Sequence, residues 1–83
     1  MASGPTRLTH RDRAILRAVS GGVAELSVSA EPDLFVEGRC CSDQPAVRRL
    51  ARAGLITAAA AGPVGQRVRA RLTVAGEREL LAS

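Results

Sequence analysis

DQPAVRRLARAGLITAAAAGPVGQRVRARLTVAGERELL, residues 43–81, carries the pattern that decides the fold. Ser42 or Asp43 can cap a helix whose first turn holds Pro45, where a missing N–H costs nothing. Val47, Leu50 and Ala51 recur at helical spacing as an inward stripe. Arg48, Arg49 and Arg52 project from the other side, within about 100° of arc. Gly54 follows the last turn, where glycine commonly ends a helix. Leu55-Ile56-Thr57 then reads as an apolar strand, and Gly62-Pro63-Val64-Gly65 as a turn. The chain returns as Gln66 to Leu72, alternating strictly, so Arg67, Arg69 and Arg71 share one face while Val68, Ala70 and Leu72 take the other. Thr73 caps a last helix through Leu81, with Glu77 near its start, where the dipole favours an acid.

Upstream, residues 1–7 read as a disordered tail, and a single domain spans 8–83. Thr9 with Asp12 forms a short capping box for a helix with Ala14, Ile15, Ala18 and Val19 inward, Arg13 and Arg17 outward, and Ser20-Gly21-Gly22 as its end. Val23 to Ser29 alternates with period two, and Leu34-Phe35-Val36 is a short apolar run. Glu31-Pro32-Asp33 and Glu37-Gly38 are turn signals, so the two runs read as a hairpin. The expected class is α+β, in the order helix, hairpin, helix, hairpin, helix.

Charge divides the chain unevenly. Every one of its 12 basic residues is an arginine, and residues 44–71 hold six of them with no acid. Residues 22–43 reverse the balance, with Glu25, Glu31, Asp33, Glu37 and Asp43 against Arg39 alone. A small domain polarised in this way suits a polyanion on one side. Phe35 is the sole aromatic residue, which disfavours a surface that stacks single-stranded bases.

Other classes are poorly served. No run of 18 apolar residues exists to cross a membrane, and the N-terminus lacks a signal-peptide core, so a cytoplasmic location is expected. Adjacent Cys40 and Cys41 disfavour a mutual disulfide and, with His10 distant, form no metal spacing; both thiols are expected buried or half-buried. His10, at a helix start, is expected in solvent. Catalytic triads and phosphate-cradling loops find no convincing spacing, so neither an enzyme nor a cofactor is expected.

Leu50, Gly54, Leu55 and Ile56, then a basic hairpin, then Leu72, Thr73, Gly76 and Leu80 follow an order that resembles the winged helix-turn-helix domains of bacterial regulators, the MarR-like and PadR-like families in particular. The resemblance covers residues 43–81 and implies a recognition helix, a wing and a following helix. It implies a small bacterial transcription regulator that binds double-stranded DNA. Its contacts would be Gln44, Arg48, Arg49 and Arg52 on the recognition helix, with Gln suited to adenine and Arg to guanine edges. Arg67, Arg69 and Arg71 on the wing would meet phosphates, and the helix and strand arginines are expected to emerge on one shared side. The family's usual second helix has no counterpart, since Ala30–Cys41 contains Pro32 and Gly38 and does not read as helix. The competing expectation is a winged-helix-like protein–protein adaptor, with the acidic 25–43 region as a docking surface. A homodimer is compatible with so small a core.

Overall fold

Capping and alternation place eight elements in residues 8–82, the part described by the computed structural model. The expected tail, 1–7, lies outside the described residues. In chain order the elements are α1 (His10–Ser20), β1 (Ala24–Ser27), β2 (Leu34–Val36), β3 (Arg39–Cys40), α2 (Gln44–Arg52), β4 (Ile56–Ala58), β5 (Arg67–Leu72) and α3 (Val74–Ala82). The strands form one antiparallel sheet in the order β3-β2-β1-β5-β4. The domain is therefore α+β, with three helices packed on one face of five strands.

Period two sorts the sheet's residues. Ala24, Leu26, Leu34, Ile56, Ala70 and Leu72 point inward and meet Ile15, Leu16 and Val19 of α1 with Ala46, Val47 and Leu50 of α2 in a single core. Fully burying a side chain of this kind contributes about 1.5–3 kcal/mol, and Leu16, Leu34 and Leu50 are each 0% exposed. The alternate residues form the outer face, where Glu25 stands opposite both Phe35 and Arg69, Ser27 opposite Arg67, and Thr57 opposite Arg71.

The two halves of the 43–81 pattern meet in one joint. The Leu55 carbonyl accepts from the Thr73 backbone N–H at 3.0 Å, and the Gly54 carbonyl accepts from the Thr73 hydroxyl. That hydroxyl in turn accepts from the Gly76 N–H at 3.0 Å, starting α3. Gly76 lies so close to this joint that a Cβ there would sit 2.0 Å from the Leu55 oxygen. A side chain is thus excluded by backbone, which explains why glycine stands three residues after the capping threonine.

Three expectations need correction. In α1 the inward position is Leu16, while Ala14 is exposed, because the buried stripe is centred on Asp12, Ile15, Leu16 and Val19. The stretch after Val36 is a strand as well: Glu37 (φ 52) and Gly38 (φ 82) form a tight left-handed turn, the geometry that favours a two-residue hairpin, and it folds Arg39–Cys40 back onto β2. Cys40 is consequently exposed at the sheet edge rather than half-buried, with Cys41 intermediate, and both are free thiols.

Candidate nucleic-acid interface

Helix α2 starts as its sequence implies, with the Asp43 carboxylate accepting from the Ala46 N–H at 3.1 Å and Pro45 in the first turn. Its polar residues are already engaged. Arg49 places a two-pronged grip on Asp12 of α1, Nη1–Oδ2 at 3.0 Å and Nη2–Oδ1 at 2.8 Å. Asp12 also closes the capping box, its Oδ2 accepting from the Thr9 N–H while its own N–H donates to the Thr9 hydroxyl. Asp12 is fully buried although Arg49 remains 48% exposed. The Arg49 hydrogen bonds chiefly hold the Asp12 carboxyl below the usual carboxylate range against the opposing effect of burial. The same bonds push the Arg49 guanidinium further up. This pair fastens α1 to α2.

Arg48 and Arg52 meet the acidic stretch instead. Arg48 Nη2 donates to Asp33 Oδ1 at 2.9 Å, and Arg52 Nη2 donates to Glu31 Oε2. Both pairs are substantially solvated, with side-chain exposures of 37% and 43% in the first and 72% and 55% in the second. Exposed pairs of this kind contribute only about 0.2–1 kcal/mol. Asp43, besides capping α2, pairs with Arg11 at 3.3 Å. Much of the acidic stretch is thus taken up inside its own chain.

Gln44 is not a base-reading residue in this geometry. Its Oε1 accepts from the Leu34 N–H at 2.9 Å, and its Nε2 donates to the Leu34 and Cys41 carbonyls at 3.1 and 2.8 Å and to Cys40 Sγ at 3.1 Å. The amide fastens β2 and the end of β3 to the start of α2. Polar backbone left unpaired beside a core is costly, and Gln44 supplies the missing partner.

The returning strand is different. Arg67, Arg69 and Arg71 are all exposed, alternating with Val68, Ala70 and Leu72 as the sequence indicated. Among the described residues none of the three forms an ion pair, although Glu25 stands opposite Arg69. The Arg67 guanidinium lies 3.8 Å from the centroid of the Phe35 ring, a cation–π contact that fixes its direction. Alternate residues on one strand face stand about 6.6–6.8 Å apart, so the row is about 13 Å long. These arginines occupy the sheet face turned from the helices, whereas Arg48, Arg49 and Arg52 belong to a helix on the other face. The two sets do not form one surface, contrary to the shared side expected of them. Sequence reasoning missed the role of Phe35 as a rest for Arg67; β2's period-two position was the available signal.

Beyond the hairpin strands, Val28 exchanges backbone hydrogen bonds with Gln66 and Gly65, each at 2.8 Å, so the loop end is tied to β1. His10 is exposed. Among the described residues no group of three or more metal-ligating side chains occurs, and no helix is long and apolar enough to cross a membrane. Comparison with protein-family models, curated proteins and solved structures finds no match.

Proposed function

We propose that this chain is a non-enzymatic module that binds double-stranded DNA through its backbone, built on a winged-helix-like plan. The observation that carries the reading is the row Arg67, Arg69 and Arg71: exposed, on an uncovered sheet face, and without carboxylate partners among the described residues. Like charges aligned on one face repel and favour an anionic partner. With one phosphate per about 3.4 Å of axis on each strand, a row of about 13 Å spans roughly four nucleotide steps.

The arrangement of elements supports the same plan. Strands β1, β5 and β4 are neighbours in that order, as first strand and wing are in winged helices, and α2 precedes the wing. The β2–β3 hairpin occupies the place of the family's second helix. The arginine row replaces α2 as the primary contact, because Gln44 and Arg49 are held internally. Such binding positions the protein on a duplex with little sequence choice. A role as a small bacterial transcription regulator draws on the family resemblance alone.

Fluorescence anisotropy with a random-sequence duplex tests the reading. Three phosphates neutralised give a slope of log affinity against log salt of about −2.7. A flat response, or affinity unchanged in Arg67→Ala/Arg69→Ala/Arg71→Ala, rejects it. The adaptor reading rests on a separate observation: Val74 and Leu81 of α3 are 66% and 86% exposed. A stoichiometric protein partner that survives nuclease and is lost in Leu81→Asp would favour it.

A further inference from the structure

The loop between β1 and β2 holds its acids in place with its own serines. The Asp33 N–H donates to Ser27 Oγ at 2.9 Å, and the Glu31 N–H donates to Ser29 Oγ at 3.2 Å. The chain so shaped delivers two carboxylates, two residues apart, to two guanidinium groups one helical turn apart, Asp33 to Arg48 and Glu31 to Arg52. Beside these contacts lies an open cleft of about 380 Å³ lined by Glu31, Pro45, Arg48, Arg49 and Arg52. The pairing is also incomplete. Arg48 bonds Asp33 through one nitrogen, and its Nε is buried with no acceptor among the described residues. A phosphate, with more oxygens than a carboxylate, suits a guanidinium once Asp33 is displaced from it.

We infer that the Glu31–Asp33 loop is a built-in competitor, occupying on α2 a site for two phosphate groups of a polyanion. Entry of the polyanion displaces both carboxylates and engages Arg48 and Arg52 on the helix face, as a contact separate from the sheet row. Arg49 stays out of the exchange, because its fork grips fully buried Asp12. The inference rests on the nucleic-acid reading for the identity of the polyanion. It also explains why an acidic segment is folded against the most basic helix: binding through α2 is held back unless phosphate outcompetes the loop.

The test compares Glu31→Gln/Asp33→Asn with the charge-matched control Glu37→Gln/Glu77→Gln. Each variant takes the net charge from +4 to +6, and neither control residue forms an ion pair among the described residues. Thermal melts first establish that both variants fold. Binding to random-sequence duplex and elution from immobilised heparin are then measured against salt. The loop variant is expected to elute from heparin at higher salt and to take up a second duplex on the helix face, with a slope of about −1.8 for its two neutralised phosphates. The control takes up no second duplex. Adding Arg48→Ala/Arg52→Ala to the loop variant removes the gain.

Equal gains in loop variant and control, or a gain that survives loss of Arg48 and Arg52, overturn the competitor. Absence of any shift on heparin and duplex alike overturns it as well. If no protein binds duplex, yet heparin elution moves to higher salt through Arg48 and Arg52, the competitor stands and the nucleic-acid reading falls.

Discussion

Replacing Asp12 with alanine removes the one charged side chain that is fully buried among the described residues. It deletes both Arg49 contacts and the carboxylate's bond to the Thr9 N–H. Breaking a buried ion pair by removing one partner costs about 3–5 kcal/mol, and loss of a capping interaction about 1 kcal/mol. Arg49 is 48% exposed, so water can take over part of its solvation. The expected loss is therefore about 2–4 kcal/mol. A chain of this length has roughly 4–12 kcal/mol in total, so the variant spends a large share of its stability. In thermal terms the drop is at least about 8 °C. Asp12→Asn keeps an oxygen for the Thr9 N–H and loses the charge, so it should fall between. Urea unfolding with an unchanged m-value is the assay, extended to a double-mutant cycle with Arg49→Ala. Because the folded Asp12 carboxyl sits below the usual range, its contribution is present above the unfolded carboxylate value of about 3.9. It disappears as pH falls from there through the lower folded value. Acid unfolding of Asp12→Asn should accordingly be flatter in that window. An Asp12→Ala variant within 0.5 kcal/mol of the parent (about the scatter of a neutral surface change), or a cycle without coupling, refutes this account of the α1–α2 joint.

Further outcomes follow from the same contacts. Gly76→Ala puts a Cβ 2.0 Å from the Leu55 oxygen and should destabilise by about 1–3 kcal/mol or more, read by thermal melting; a neutral change means α3 sits elsewhere. Gln44→Ala should cost about 2 kcal/mol through unpaired backbone at Leu34 and Cys41, while leaving duplex affinity of the folded protein unchanged. Selective loss of affinity with normal stability would instead make Gln44 a base contact. Phe35→Leu removes the rest beneath Arg67 and should lower stability by about 0.5–1 kcal/mol, measured by urea unfolding.

Local signals survived into the structure where the deciding forces are local. The Thr9–Asp12 box, the Asp43 cap with Pro45, and the alternation from Arg67 to Leu72 depend on residues within a few positions of each other. The β1–β2 pairing was legible for the same reason. What could not be read was the destination of each charge. Asp12 announces itself as a capping residue, yet it also receives Arg49 from 37 positions away. Arg48 and Arg52 read as a free polar face because their acids lie 15 and 21 residues upstream. Gln44 similarly resembles a reader of bases until β2 arrives beside it. Two-residue β3 is too short to show a period, and only its turn betrays it.

The central claim, that a duplex backbone lies on the outer sheet face, is tested most directly by titrating isotope-labelled protein with a random-sequence duplex and following backbone amides by NMR. The largest changes should fall on Arg67, Arg69 and Arg71 and on Ser27 and Thr57 opposite them. Spectra that do not move, or changes confined to Val74 and Leu81 on α3, would contradict it.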